Sequence, residues 1–188
     1  MEGKVIIFSA PSGSGKSTII KHLLTKFPQF EFSISATSRS PRNNEVNGRD
    51  YYFLSIDEFK NKVADNQFIE WEEVYTGTCY GTLRSEIERI WNNNNIIIFD
   101  VDVKGGLNIK KIFGNQALAV FIMPPSVEEL HRRLILRGTD SQETINKRVA
   151  KAAEEISFAP QFDVCIMNDN LEKACTEAET ILSKFICQ

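Results

Sequence analysis

The chain has 188 residues, 42% hydrophobic and 25% charged, which is ordinary for one soluble globular domain with a full core. The net charge of −3 argues against a protein that coats nucleic acid or an anionic membrane. The apolar N-terminal run is too short for a signal peptide, and no segment approaches the roughly 20 apolar residues of a membrane span. The four cysteines show no C-x-x-C spacing and are expected to stay reduced, which favours a cytoplasmic protein.

Four buried strands separated by helices are predicted along the chain. The strands are "KVIIFS", "IIIFDVD", "ALAVFIM" and "VCIM", and a segment with helical periodicity follows each of them. Strands that are apolar throughout and alternate with helices predict an α/β fold, with a parallel sheet covered on both faces.

The stretch "FSAPSGSGKST", Phe8 to Thr18, lies between the first strand and the first helix and matches a Walker A phosphate loop. Gly13 and Gly15 let backbone N–H groups point inward around an anion, and the helix adds its positive N-terminal end. Lys16 is expected to reach the β- and γ-phosphates, and Ser17 to ligate Mg²⁺. The residues predicted to hold the nucleotide phosphates are Ala10, Pro11, Ser12, Gly13, Ser14, Gly15, Lys16, Ser17 and Thr18.

Ala10 occupies the position where the strict pattern has glycine. A methyl group is tolerated there if φ is negative and is harmful if φ is positive, so a negative φ is predicted.

Asp100 ends the apolar run "IIIFD", at the sheet edge where α/β proteins bind ligands. A carboxylate at this edge can act on Mg²⁺ through water, so Asp100 and Ser17 are the predicted metal residues. An Asp after a strand can also cap a turn or a helix, but the apolar run before Asp100 favours the metal role. A phosphate loop by itself leaves an ATPase, a GTPase and a small-molecule kinase open.

The region from Phe32 to about Tyr80 has a different pattern. The β-rich pieces "FSISAT", "DYYFLS" and "FIEWEEV" surround one amphipathic helix, "SIDEFKNKVA", which predicts an insertion with antiparallel strands. Arg39 and Arg42 lie three residues apart within it, and Tyr51 follows. Arginine forks and tyrosine hydroxyls suit a phosphate group.

A second candidate insertion, "HRRLILRGTDSQETINKRVAKA", is helical and arginine-rich, with a break at Gly138. Helices of this composition are usually solvated surface helices, and Arg132 is assigned that role.

The whole chain resembles the guanylate kinase family. The resemblance rests on motifs that occur in the family's order: "APSGSGKST", "TSRSPR…VNGRDYYF", "FIEW", "YGT", "DVDVKG", "RGTDSQETINKR" and "NDNLEKA". It implies a three-layer P-loop NTPase fold with a parallel core sheet (1–32, 96–125 and 158–188), an inserted β-rich GMP-binding subdomain (33–95) and a helical lid (126–157). It also implies transfer of a phosphoryl group from ATP to GMP, and to dGMP, with Mg²⁺.

The resemblance implies a guanine pocket around Glu70, whose carboxylate can accept hydrogen bonds from N1–H and the N2 amino group of the base. Ser35 and Thr82 would donate to O6 or N7, and Asp102, on the same side of an extended strand as Asp100, would complete the pocket. The implied GMP-binding residues are Ser35, Arg39, Arg42, Tyr51, Glu70, Tyr80, Thr82, Asp102 and Arg148.

The resemblance further implies that Arg133, Arg137 and Arg148 belong to a mobile lid, with Arg137 and Arg148 contacting the transferring phosphoryl group. Asn168 and Asp169 would lie beside the adenine of ATP, or would cap the last helix. The implied ATP site therefore adds Arg133, Arg137, Asn168 and Asp169 to the phosphate loop. The implied catalytic residues are Lys16, Arg39, Arg137 and Arg148.

Two other functions stay open at this point. Guanylate-kinase-like domains also occur as catalytically inactive protein-binding modules, and other members of this fold phosphorylate another nucleoside monophosphate or a small metabolite. The complete phosphate loop with Lys16 and Ser17 favours an enzyme, and Glu70 with Ser35 and Thr82 favours guanine. No nucleic acid or membrane partner is expected, and the protein would be a monomer or homodimer.

Overall fold

The strands and helices are taken from a computed structural model, which describes residues 3–42, 44–137 and 141–187. The strands, in chain order, are β1 (Val5–Ser9), β2 (Phe30–Phe32), β3 (Ala36–Thr37), β4 (Tyr52–Phe53), β5 (Phe68–Tyr75), β6 (Thr78–Leu83), β7 (Ile96–Asp100), β8 (Ala117–Met123) and β9 (Val164–Met167). The helices are α1 (Lys16–Lys26), α2 (Ile56–Ala64), α3 (Arg84–Asn92), α4 (Val103–Phe113), α5 (Val127–Arg137), α6 (Gln142–Ser157) and α7 (Leu171–Ile186).

A five-stranded parallel sheet with strand order β2-β7-β1-β8-β9 forms the core. Every residue of the central strand β1 is buried, because helices cover both faces of the sheet. Leu23 of α1 and Leu182 of α7 pack into the apolar cluster on one face, and Ile90 of α3 and Ile109 of α4 into the cluster on the other. The predicted α/β fold with a covered parallel sheet is confirmed, as are the four predicted strands β1, β7, β8 and β9.

Two details of this sheet differ from the prediction. β2 is not predicted as a separate strand, because an edge strand of three residues is too short to show an apolar pattern. β7 ends at Asp100 and does not continue through Asp102. Asp102 caps α4 instead, its carboxylate accepting a hydrogen bond from the Gly105 N–H at 2.8 Å. The expectation that Asp102 lies on an extended strand is therefore wrong.

A second, smaller sheet with order β4-β3-β6-β5 forms the predicted insertion. β6 pairs antiparallel with β3 and β5, as predicted, whereas β3 and β4 pair in parallel. Phe59 of α2 stacks on Phe68 of β5 with ring centroids 4.4 Å apart, which gives this sheet a small core of its own. α2 begins with a capping box, in which Ser55 and Glu58 exchange hydrogen bonds with each other's backbone N–H.

The predicted lid segment contains α5 and α6, which pack on each other through Leu130, Leu134, Ile145 and Ala152. The predicted break at Gly138 lies outside the described residues. The hydroxyl of Ser141 caps α6 by accepting from the Thr144 N–H at 3.3 Å. Among the described helices, none is long and apolar enough to cross a membrane.

Candidate active site

A cleft of about 590 Å³ opens where β1 and β7 end. We call it the P-loop cleft, and its lining consists of the loop from Ala10 to Thr18, the segment Asp100–Asp102, and Arg133, Leu134 and Glu155. Gly13 and Gly15 have φ of 92° and 93°, in the left-handed region that favours glycine. Gly15 directly precedes α1 and has no side chain to cap it, so the positive end of the helix faces the cleft.

Ala10 takes the backbone conformation that the sequence predicts. In the described part of the chain, the non-glycine residues with positive φ are Asn44, Asn66 and Asn94, and Ala10 is not among them. The prediction is confirmed, and the methyl group of Ala10 is buried at the end of β1 without backbone strain.

Lys16, Ser17 and Asp100 meet in the P-loop cleft. The Lys16 ammonium pairs with Oδ1 of Asp100 and donates a hydrogen bond to the Val101 carbonyl at 3.0 Å. The Ser17 hydroxyl donates to Oδ2 of Asp100 at 3.4 Å. A hydroxyl beside a carboxylate is a set of hard oxygen donors, and Mg²⁺ takes few such protein ligands while keeping several waters. These two side chains therefore fit a divalent cation of that kind.

Asn168 is 4% exposed and lies behind the phosphate loop. Its amide donates to the Ser14 carbonyl at 2.6 Å, and a Cβ added at Gly15 would lie 2.2 Å from the amide nitrogen. Asn168 thus fixes the loop at a position where only glycine fits. The cap of α7 is Asn170, whose side chain accepts from the Lys173 N–H at 3.1 Å, and the exposed Asp169 lies between these two asparagines.

Two of the predicted lid arginines contact the phosphate loop. Arg133 donates to the Ser14 carbonyl at 3.4 Å and to the Asn168 carbonyl at 3.0 Å. Arg148 donates to the Ser12 hydroxyl at 3.0 Å, which joins α6 to the loop. The side chain of Arg137 lies outside what the structure describes, and its predicted role stays a prediction.

Glu129 and Arg132 show how the exposed side of α5 is neutralised. Arg132 donates a hydrogen bond to Glu129 at 2.7 Å, and Arg133 donates another to Glu129 at 2.9 Å. Together the two arginines lower the pKa of Glu129 to about 2. Arg132 is largely exposed, consistent with the surface role that the sequence gives it.

A second cleft, of about 300 Å³, opens between the core sheet and the inserted sheet. We call it the insertion cleft, and its lining consists of Ser35, Tyr51, Glu70, Glu72, Val74, Tyr80, Gly81, Asp100, Val101, Asp102, Gly105 and Lys151. Five of the predicted GMP-binding residues line it: Ser35, Tyr51, Glu70, Tyr80 and Asp102. The structure therefore brings together residues that are up to 67 positions apart in the chain.

Glu70 is a half-buried carboxylate of the insertion cleft. Burial raises its pKa to about 6, the negative charges of Asp102 and Glu72 act in the same direction, and hydrogen bonding from Thr82 opposes them. The Thr82 hydroxyl, itself fully buried, donates to Glu70 at 2.9 Å. In this structure its one proton points at Glu70 and not into the cleft, so Thr82 orients the carboxylate.

Arg39 lies directly behind two tyrosines of the insertion cleft. Its Nε donates to the Tyr80 hydroxyl at 3.1 Å, and its guanidinium lies 4.9 Å from the centroid of the Tyr51 ring. Glu45 binds the same guanidinium through both carboxylate oxygens, at 2.7 and 2.8 Å. Glu45 also accepts from the backbone N–H of the exposed Arg42, at 2.7 Å.

The two clefts share the segment Asp100–Asp102. Asp100 therefore faces the phosphate loop on one side and the inserted sheet on the other. A group bound by the phosphate loop and a group bound in the insertion cleft would meet at this segment.

The family model for guanylate kinase matches residues 2–185. The chain belongs to the guanylate kinase family. A guanylate kinase from Bacteroides fragilis is 56% identical over 185 residues, covering 98% of this chain and 91% of the relative. One from Chlorobaculum tepidum is 46% identical over 188 residues, covering 100% of this chain and 95% of the relative.

A solved structure of the family has the same architecture. The crystal structure of guanylate kinase from Anaplasma phagocytophilum matches with a TM-score of 0.75 at 29% identity, covering 97% of this chain and 85% of that one.

Three residues in or next to the two clefts are absent from the sequence-based prediction. Lys151 lines the insertion cleft and lies 3.4 Å from Glu155, which lines the P-loop cleft. Burial raises the pKa of Glu155. Both residues share the face of α6 that carries Arg148, so helical periodicity counted from that arginine would have found them. Glu45 gives no comparable signal, because a single acid in a polar loop is usually solvated.

Proposed function

We propose that the protein transfers the γ-phosphoryl group of ATP to GMP, and to dGMP, giving ADP and GDP or dGDP. The observation that carries this proposal is the junction at Asp100–Asp102. One cleft at this junction is built to hold phosphates, and the other holds a buried carboxylate suited to guanine. The complete phosphate loop argues against a module that only binds proteins.

In the proposed reaction the ATP phosphates lie in the P-loop cleft. Backbone N–H groups of the loop and the N-terminus of α1 hold the phosphates. The Lys16 ammonium stabilises the negative charge that develops on the transferring phosphoryl group. Ser17 and Asp100 would hold the divalent cation, Mg²⁺, whose charge offsets that of the phosphates when it is bound. Asp169 would contact the adenine, while Asn168 supports the loop from behind.

The acceptor, GMP, would occupy the insertion cleft. Glu70 accepts from N1–H and the N2 amino group of guanine, whereas adenine would present a bare N1 lone pair to the same carboxylate. Arg39 and Arg42, with Tyr51 and Tyr80, would hold the phosphate of GMP.

Catalysis in this scheme is positioning and electrostatic stabilisation. The ionised phosphate of GMP is already a nucleophile, so no general base is required. Arg137 and Arg148 would stabilise the charge on the transferring group and exclude water, with Arg133 bracing the loop.

We further propose that the core, the insertion and the lid divide the chain at the predicted boundaries. The protein would work as a monomer or homodimer in the cytoplasm. The four cysteines all carry free thiols, which suits a reducing compartment.

The test is ADP formation from ATP with a panel of AMP, CMP, UMP, GMP and dGMP. We expect turnover with GMP and dGMP and little with the others, because a buried polar group left unpaired discriminates by about 10⁴ or more. Absence of turnover with GMP would overturn the proposed function. Equal turnover with AMP would overturn the assignment of Glu70.

A further inference from the structure

Glu86 is a buried carboxylate that the proposed reaction does not use. It lies in the first turn of α3 and is 1% exposed. An ionised carboxylate at this depth is unfavourable unless its oxygens accept hydrogen bonds. The partners of Glu86 therefore indicate its role.

Each oxygen of Glu86 accepts two hydrogen bonds. Oε1 accepts from the Ile34 N–H at 2.9 Å and from Nη2 of Arg89 at 2.8 Å. Oε2 accepts from the Tyr52 hydroxyl at 2.9 Å and from Nε of Arg89 at 3.0 Å. Burial alone would raise the pKa of Glu86, but Arg89, Ile34 and Tyr52 outweigh burial and hold that pKa below its ordinary value. Glu86 is therefore an ionised carboxylate, and both of its oxygens act as hydrogen-bond acceptors.

Arg89 links the Glu86 carboxylate to the core sheet. Its Nη1 pairs with Glu31 of the edge strand β2. Glu31 in turn accepts from the Asn95 amide at 2.6 Å, immediately before β7. The network thus begins on the rigid core and ends on the segments that enter the inserted sheet.

Those segments carry residues of the insertion cleft. Ile34 immediately precedes Ser35, Tyr52 immediately follows Tyr51, and both Ser35 and Tyr51 line the cleft. The Tyr52 N–H donates to the Ser35 carbonyl at 2.9 Å, which ties the two segments together. Glu86 does not line the cleft itself, so it acts on the cleft through the backbone of its neighbours.

We propose that Glu86 is a positioning residue for GMP: it fixes Ser35 and Tyr51 relative to the core sheet from outside the insertion cleft. This inference rests on the proposed function, because it takes GMP as the occupant of that cleft. Glu86 lines neither cleft. Its loss should therefore weaken GMP binding and leave ATP binding unchanged.

The test is steady-state kinetics of the Glu86→Gln variant with GMP and ATP varied in turn. The amide keeps the shape of the side chain but places an N–H₂ group against donors, so the two hydrogen bonds accepted by the replaced oxygen are lost. We expect KM for GMP to rise roughly tenfold, since hydrogen bonds to charged groups are the stronger ones, with KM for ATP within about twofold of wild type. Glu88→Gln, at an exposed position of the same helix, is the control and should match wild type.

Several outcomes would overturn the inference. An unchanged KM for GMP in Glu86→Gln would show that Glu86 does not position the GMP site. Equal rises in KM for GMP and KM for ATP would show that Glu86 only supports the fold in general. If Glu86→Gln fails to fold, Tyr52→Phe removes a single donor and must still raise KM for GMP selectively. A wild-type protein that does not phosphorylate GMP would instead show that the proposed function is wrong.

Discussion

The P-loop cleft and the insertion cleft meet at Asp100–Asp102 but are built in different ways. The P-loop cleft takes most of its lining from one continuous stretch, Ala10 to Thr18, and the proposed function has its backbone N–H groups hold the phosphates. The insertion cleft takes its lining from side chains spread between Ser35 and Lys151. Phosphates can be bound by a backbone, whereas choosing one base from four requires side chains.

Because of this difference, mutations in the two clefts should impair the enzyme in two distinct ways. Damage to the P-loop cleft should abolish transfer for every acceptor. Damage to the insertion cleft should change which acceptor is used, or how tightly, while ATP binding continues. Each of the following predictions tests that separation.

Lys16→Ala is expected to have the largest effect. The ammonium group lies beside Asp100 and Val101, where the transferring group would pass. Removing it should lower kcat by roughly 10³, because a contact that strengthens in the transition state is lost. Lys21→Ala, at an exposed position of the same helix, is the control. A Lys16→Ala enzyme within tenfold of wild type in kcat would contradict the role of this lysine.

Glu70→Gln should act on the acceptor alone. In the proposed complex an amide would replace one of the two acceptor oxygens offered to guanine, so kcat/KM for GMP should fall by roughly 10². The affinity for ATP should stay nearly unchanged. Wild-type kinetics with GMP would remove Glu70 from the pocket.

Glu45→Gln should have a smaller effect of the same kind. Both oxygens of Glu45 accept from the Arg39 guanidinium, and an amide would turn N–H₂ against one of its nitrogens. Arg39 would lose its orientation over Tyr51, and KM for GMP should rise roughly tenfold. The variant is compared with wild type at saturating ATP. A lower KM for GMP would show that Glu45 competes with the phosphate instead of holding Arg39.

The pH dependence of GMP binding should show the smallest effect. Burial raises the pKa of Glu70 to about 6, so the carboxyl gains a proton as the pH falls through that value. GMP affinity should therefore fall severalfold between about pH 7 and pH 5, more steeply in wild type than in Glu70→Gln. The phosphate of GMP titrates near pH 6 in both proteins and cancels in this comparison. Profiles of equal slope would contradict the prediction.

The same shift in the pKa of Glu70 has an opposite effect on folding. Between pH 4.5 and about 6 the folded protein binds more protons at Glu70 than the unfolded chain does. The free energy of unfolding contributed by this group therefore falls as the pH rises through that window. The insertion cleft gains its ionised carboxylate at the expense of stability.

The contrast between the clefts also explains which features of the structure could be predicted from the sequence. The phosphate loop and strands such as β7 carry local signals, namely glycine spacing and continuous apolar runs. The insertion cleft carries few signals of its own, and apart from Tyr51 the GMP-binding residues in it are predicted only through the family resemblance. Glu86 is held by contacts that include Ile34, 52 positions away in the sequence, and no local pattern predicts such a pair. Glu45 binds Arg39, which is only six positions away, but the loop between them has no regular periodicity from which the contact could be predicted.

The role of Asn168 illustrates the same limit. The sequence places it beside adenine or at the cap of α7, whereas the structure packs it behind Gly15 with its amide on the Ser14 carbonyl. This contact joins residues more than 150 positions apart. Neither the phosphate-loop motif nor the motif "NDNLEKA" predicts it from residue spacing.

The account depends most on direct transfer between the two clefts. The decisive measurement follows ATP labelled in the γ-phosphate, with and without GMP, and compares label in GDP with label in inorganic phosphate. We predict that with GMP nearly all transferred label appears in GDP, and that without GMP very little inorganic phosphate forms. Release of labelled inorganic phosphate at the same rate with and without GMP would contradict the account, because the phosphoryl group would then be passing to water.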